Sequence, residues 1–418
     1  GKLSDPLGRK TILVLAMWGM TLTTVGQGLL PSAKTGGVFG LSVGMPLMII
    51  LRVIQGLAAG AGIGGISTYL SEHAKRQNLG ITVSWIHMSS NFANAFAGGM
   101  VIILNFLLSS DDMDYFGWRI PFLLSALPAG WLLANIDRLH EEDESKHLME
   151  DEESKHLVEE EEAGGKQQDE AELLKECTTL EDSSFGSAWE NTKKDYLKAK
   201  AALFEMDPDG PWNTIKRNKT RIFMLIFALA PKVAVRYMAP IYGPTYIDDE
   251  GGEKSVGLAA SVLSQFIVFL LALPVGWLTD LFGVGRVLIV NNILALALGF
   301  PVFYLLGIYA ETTWVVVLLL GVVFGLLQSL VSTSYLYVAE MFMKSERGAA
   351  TGFAYNTASA LWGGLGPFYA TMLKGFIPKF PAWYTLLAAL VGFLAIFWNR
   401  YQHFAGNIRQ VFIRAVPY

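Results

Sequence analysis

No aspartate or glutamate interrupts any of the long apolar stretches of this chain, and a single cysteine, Cys177, stands among its 418 residues. One cysteine excludes an internal disulfide and a cysteine-built metal site. Charged residues are only 17 %, against roughly 25 % in soluble proteins, while 52 % are hydrophobic and the mean hydropathy is +0.38. No basic cluster of the kind that tracks a phosphate backbone is present, so nucleic acid is not an expected partner. No nucleophile–base pair or metal-ligand spacing is visible either. The chain is therefore not read as an enzyme, and no cofactor or metal is expected.

What the chain has is apolar length. Ten runs lie near residues 11–30, 44–70, 81–108, 119–136, 221–246, 256–278, 287–309, 313–338, 348–373 and 382–399. A helix of about 20 apolar residues crosses a hydrocarbon core of roughly 30 Å. The expected fold class is an all-α polytopic membrane protein, with the lipid bilayer as its solvent.

The net charge of −5 hides a division, because residues 141–162 alone carry twelve acids and two lysines. Basic residues gather at one set of helix ends: Arg9, Lys10, Lys75, Arg76, Arg217, Lys219, Arg221, Arg286, Arg347 and Arg400. The opposite loops carry Asp111, Asp112, Asp248, Asp249 and Glu250, with Lys34, Lys254, Lys374 and Lys379 as exceptions. Positive loops stay inside. The basic ends, the central loop and the C-terminus are thus expected in the cytoplasm, with the plasma membrane as first choice and an organelle membrane as second. The loop repeats Glu144-Ser-Lys-His-Leu148 as Glu153-Ser-Lys-His-Leu157 and has little apolar surface to bury, so disorder is expected there.

Two distant stretches share one pattern. Gly1, Asp5, Gly8 and Arg9 are spaced like Gly276, Asp280 and Gly283, with Arg286 as the second basic end. Glu72 and Gly80 are matched by Glu340 and Gly348. A repeat of this length, made of membrane helices, indicates two homologous halves. Two apolar runs precede the second aspartate motif and none precedes the first, so ten helices of an inferred twelve are expected. The resulting division is an N-terminal bundle at 1–136 with four helices, an acidic linker at 137–219, a six-helix bundle at 220–400 and a tail at 401–418.

These residues carry a family resemblance. The Gly-x-x-x-Asp-x-x-Gly-Arg-Lys loop between membrane helices resembles the signature of the major facilitator superfamily. Arg52-Val-Ile-Gln-Gly56, followed by Gly60, Gly64 and Glu72, resembles its fourth helix. Trp118-Arg-Ile-Pro-Phe122 and Tyr355-Asn356 with Trp362-Gly-Gly-Leu-Gly-Pro367 resemble the metabolite:proton symporters, the group of proline/betaine and 2-oxoglutarate carriers. The resemblance implies two pseudo-symmetric bundles that rock about a central site. It also implies that Asp5, Gly8, Arg9 and Glu72, with Asp280, Arg286 and Glu340 in the second half, form gating latches. Physically, such an aspartate can cap the free amides of a neighbouring helix. The extra Val284-Gly285 in the second copy predicts a weaker latch there.

Charge inside the membrane is costly and marks function. Lys232 lies about eleven residues into its run, roughly 16 Å deep at 1.5 Å per residue, and Arg236 follows one turn on. Arg52 breaks the repeat symmetry, since its counterpart is Leu320. These three are the expected anchors of an anionic or zwitterionic substrate. Asn91 and Asn94, Gln328 and Tyr335, and Asn356 and Ser359 are candidate hydrogen-bonding groups on three further helices. His87, on one face with Ser84, Asn91 and Asn94, is the candidate proton carrier. Competing readings are interhelical bonding for the polar residues, a structural histidine for His87, snorkelling for Arg52 and, for Lys232, pairing with an acid on one of the two inferred preceding helices. The expected function is proton-coupled transport of a small carboxylate or zwitterionic osmolyte by a monomer. The alternatives are a sugar-type facilitator without proton coupling and a non-transporting membrane sensor.

Overall fold

The computed structural model describes residues 9–31, 37, 40–74, 78–134, 210–342 and 344–404. Among the described residues there is no strand. The first part holds α1 (Arg9–Gly28), α2 (Met45–His73), α3 (Leu79–Leu107) and, after short pieces, α4 (Ala126–Ala134). The second holds α5 (Lys219–Ala228), α6 (Ala230–Tyr237), α7 (Gly243–Asp249), α8 (Lys254–Phe282) and α9 (Val284–Ile308). Helical segments over 313–340 follow and end in α10 (Thr333–Glu340). The remaining helices are α11 (Lys344–Ala358), α12 (Leu365–Leu373) and α13 (Phe380–Phe404). Among the described residues, each apolar run read from the sequence falls mainly on helix, the run at 119–136 being broken at Ser125. The expected linker lies largely outside the described residues, which resume at the helix Gly210–Arg217. Asp5, Gly8 and the tail beyond Phe404 lie outside them as well, as do the side chains of Arg9, Glu72 and Glu340.

Five helices of the described residues are long and apolar enough to cross a membrane, or six if the bent pair at residues 219–249 is one span. That pair bends by 42° between Ala228 and Ala230. The cause is Pro231 near the start of α6, which brings no N–H and crowds the preceding turn. Pro240 then sits in a π-helical turn, Met238–Tyr242, and Pro244 opens α7. Large apolar side chains, among them Ile49, Phe96, Trp277, Leu281, Phe368 and Trp398, point outward. So much outward apolar surface belongs in a bilayer, where helices satisfy their own backbone groups.

The two parts meet most closely where α3 runs antiparallel to α8. Gly80 lies against Gly276 at one end, Phe92 against Phe269 with ring centroids 5.1 Å apart, and Gly98 against Val262 towards the other end. A Cβ on Gly276 would come within 2.5 Å of Ser84 Oγ, and one on Gly80 within 2.5 Å of the Gly276 carbonyl. Glycine is therefore what lets the backbones touch. Gly56 of α2 behaves differently, because a Cβ there would meet nothing within 4 Å.

Two loop ion pairs account for two of the exceptions to the charge rule. Lys374 binds Asp249 at 2.9 Å and Lys379 binds Glu250 at 2.8 Å. Lys379 also donates to the Gly307 carbonyl. Both lysines are thus tied to the acidic loop after α7.

Gly283 joins α8 to α9 with φ 86° and ψ 146°. This region is essentially closed to residues with a Cβ. Gly283→Ala should destabilise the protein by about 1–3 kcal/mol. Thermal unfolding in detergent measures it, and an unchanged midpoint would show that the turn relaxes freely.

Candidate functional site

α6 carries a buried cation, Lys232, and a half-buried one, Arg236. Lys232 is only 2 % exposed, and its Nζ has no hydrogen-bond partner. It lies instead 3.5 Å from the centroid of the Tyr335 ring on α10 and 5.2 Å from that of Tyr355 on α11. The two hydroxyls of that pair are 3.3 Å apart. A cation over a desolvated ring gains about 2 kcal/mol, less than the cost of burying a charge without polar partners.

Arg236, one turn along on α6, is engaged. Its Nη1 donates to Tyr335 Oη at 2.5 Å and its Nη2 to Ser90 Oγ at 2.7 Å. Ser90 lies on α3, so this guanidinium links the two parts of the molecule. Among the described residues, no ion pair involves Lys232 or Arg236.

Beside the cations runs a buried chain of neutral polar groups. His87, fully buried, places Nε2 3.1 Å from the Gln328 carbonyl and Nδ1 3.2 Å from Asn91 Nδ2. The carbonyl only accepts and the amide nitrogen only donates, so the ring proton belongs on Nε2 and Nδ1 is the acceptor. Asn91 Nδ2 also donates to the His87 carbonyl at 2.6 Å. Gln328 Nε2 donates to Asn91 Oδ1 at 3.3 Å, and Gln265 Nε2 on α8 donates to Gln328 Oε1 at 3.5 Å. The His87 ring lies 5.9 Å from the Tyr335 ring, which places this chain against the cation pair.

The structure thus brings together Lys232, Arg236, His87, Asn91, Gln328 and Tyr335. It does not bring in the other candidates. Arg52 is exposed, and its Nη1 donates to Gln55 Oε1 at 3.0 Å on its own helix. Gln55 and Gln27 then tie α2 to α1. Asn94 is exposed, and Asn356 is exposed with its amide donating to the Gly352 carbonyl at 2.8 Å. Ser359, half-buried, opens the π-helical turn Ser359–Gly364. Sequence reasoning passed over Ser90, Tyr355 and Gln265. Ser90 was within reach of it, lying three residues past His87 on α3.

The second aspartate motif makes a contact of its own. Asp280, at the end of α8, accepts from Gly80 N at 2.6 Å and from Ile81 N at 3.0 Å. Asn78, the N-cap residue of α3, makes no side-chain cap. The carboxylate of another helix therefore satisfies amides that the helix start leaves free. The inserted Val284-Gly285 lies beyond the Gly283 turn and leaves this contact in place. Arg286 is exposed.

A buried and a half-buried cation between two packed helical parts, served by neutral polar groups and set among membrane-spanning helices, define a polytopic carrier rather than a catalytic centre. The chain belongs to the Major Facilitator Superfamily, whose family model matches residues 1–367. It is a transporter, not an enzyme. It is similar to the citrate-proton symporter of Klebsiella pneumoniae, 26 % identical over 407 residues that span 94 % of this chain and 76 % of that protein. The ectoine/proline transporter ProP of Corynebacterium glutamicum is 24 % identical over 95 % of this chain and 70 % of its own length. YdfJ of Escherichia coli (strain K12) is 37 % identical over 140 residues, 32 % of each chain. Among solved structures, the proton:xylose symporter XylE bound to 6-bromo-6-deoxy-D-glucose shares the fold. Its TM-score is 0.63 at 16 % identity, covering 94 % of this chain and 81 % of XylE.

Proposed function

We propose that this chain is a proton-coupled symporter of a small carboxylate or zwitterionic osmolyte, working by alternating access as a monomer in the plasma membrane. The observation that carries this reading is Lys232, a buried amine without a hydrogen-bond acceptor, one turn from a guanidinium that links the two parts. An incoming carboxylate would supply the missing acceptor. It would also compete for Arg236, which donates to Ser90 on α3. Binding and rocking of the bundles would then share one residue. The similarity to a citrate-proton symporter and to ProP supports the class of substrate and the coupling ion. Arg52, Asn94, Asn356 and Ser359 remain candidates for the wider path rather than for the cation pair. Asp280 and the basic ends of the motif loops are assigned to the cytoplasmic side, with Arg286 and the Arg9, Glu72 and Glu340 positions as their supporting charges. A neutral sugar would leave both cations uncompensated, and a pure sensor has no evident need for them.

Coupling is assigned to His87. The acceptor Nδ1, facing Asn91, is the atom a transported proton would occupy, and its arrival would turn the Asn91 contact into donor against donor. In proteoliposomes, an alkaline interior should drive about tenfold accumulation per pH unit for one co-transported proton. His87→Gln should abolish that accumulation while retaining exchange of labelled for unlabelled substrate. Gradient-independent uptake by the unaltered protein would sink the coupling, and full accumulation by His87→Gln would move it to another group.

A further inference from the structure

We infer that Lys232 makes the site selective for anions of two or more negative charges, such as di- and tricarboxylates, by occupying an aromatic cage that would otherwise admit a quaternary ammonium. The inference rests on the transport reading above and narrows its substrate class. Recognition of a betaine-type cation uses aromatic faces. Here the face of Tyr335 is taken by the chain's own ammonium at 3.5 Å, with Tyr355 at 5.2 Å closing over it. The cage already has its cation.

Charge balance points the same way. The contacts of Arg236 are the hydroxyls of Tyr335 and Ser90, and His87, Asn91 and Gln328 beside them are bonded to one another as neutral groups. A zwitterion brings no net charge and would leave the buried Lys232 and the half-buried Arg236 without an anion among the described residues. A dianion offsets both.

Donor capacity matches as well. Lys232 has three N–H donors, none of them bonded. Arg236 has five, with hydrogen bonds to two partners. The two residues are four apart on one helix face, which suits carboxylates separated by a short carbon bridge.

The experiment uses the purified full chain with citrate, 2-oxoglutarate, glycine betaine and proline as probes. Uptake is read in proteoliposomes under an imposed pH gradient, and ligand-induced thermal stabilisation is read in detergent. The unaltered protein should take up and be stabilised by citrate or 2-oxoglutarate, with both osmolytes weaker by roughly tenfold or more, the margin expected for one charge-assisted hydrogen bond. Lys232→Ala should lose the carboxylate response and gain stabilisation by glycine betaine, because the tyrosine faces are vacated. If that variant does not fold, Lys232→Gln replaces it and should lose the carboxylate response alone. Uptake of betaine or proline in preference to the carboxylates would overturn this inference and leave the transport reading standing. Uptake of none of the four probes would count against both. A folded Lys232→Ala protein stabilised by carboxylates as before would overturn the role given to Lys232.

Discussion

Lys232→Met should make the protein more heat-resistant while abolishing transport. Most core substitutions lower stability, so the opposite sign separates a functional group from a structural one. Lys232 is buried to 2 % exposure and its amine has no hydrogen-bond partner. Methionine is close to lysine in length, has the flexibility to fill the same path and needs no acceptor. It can keep contact with the rings of Tyr335 and Tyr355 through its sulfur. The loss is a cation–π contact of about 2 kcal/mol. The gain is removal of an uncompensated buried charge, and exchanging buried ionic groups for well-packed apolar ones commonly stabilises by about 1–4 kcal/mol. The difference runs from about −1 to +2 kcal/mol, and because the methionine sulfur keeps a ring contact a gain of up to about 2 kcal/mol is expected. Transport should fall below detection, since the acceptor-seeking amine is what holds the substrate in the proposed mechanism. Thermal unfolding in detergent and uptake into proteoliposomes read the two effects separately. A variant that loses stability and transport together would identify Lys232 as a packing element. Natural proteins accept such destabilised groups where function requires them.

How much of this was legible in the chain differs by kind of information. The helices were legible because apolar length and the absence of acids are local properties, and the described residues of every expected run are mainly helical. The two cations and the polar face of α3 were also legible, because four-residue spacing fixes which residues share a face. Which faces meet was not. Tyr355 and Asn356 illustrate it. The sequence marked the asparagine as the polar group, but neighbours on a helix point about 100° apart. The structure turns Tyr355 onto Lys232 and leaves Asn356 outside. Arg52 drew notice by breaking the repeat symmetry, yet symmetry says nothing about depth of burial. It is exposed and bonded to Gln55. Asn94 shows the same limit. It lies seven residues past His87, only about 20° round the helix from it, yet it is exposed where His87 is buried, because a shared face fixes direction and not depth.

The hydrogen-bond direction at His87 needed coordinates altogether. A sequence can place a histidine on a polar face. It cannot show that Gln328 offers a backbone carbonyl to one ring nitrogen while Asn91 offers an amide to the other. The consequence is a histidine whose two nitrogens have different tasks. One anchors the ring to the second part of the molecule, and the other is left as the acceptor within the first.

Asp280→Ala should loosen the junction of the two parts by a factor of roughly 10 to 150 in its closed-to-open ratio. The carboxylate bonds two backbone amides of α3, Gly80 N at 2.6 Å and Ile81 N at 3.0 Å. It does so at a helix start, where the amides are otherwise unpaired and the helix dipole favours negative charge. Hydrogen bonds to a charged group are worth about 1.5–3 kcal/mol, and each 1.4 kcal/mol is tenfold in an equilibrium. The contact joins α8 to α3, so under alternating access its loss falls on the opening of this face rather than on the stability of one bundle. Leu79, buried beside the contact, offers a reporter. In a Cys177→Ser background, which removes the chain's own thiol, Leu79→Cys adds no bulk and should react slowly with a membrane-impermeant maleimide applied from the Asp280 side. Adding Asp280→Ala should speed that reaction by the same factor, with transport falling because closure no longer competes with opening. Asp280→Asn should lie between, since its amide oxygen still accepts but carries no charge. The helices must stay packed for the test to count, and an unchanged unfolding midpoint would show that they do. If the cysteine then reacts no faster in the folded double variant, Asp280 is an ordinary cap and the latch must be sought elsewhere along the α3–α8 seam.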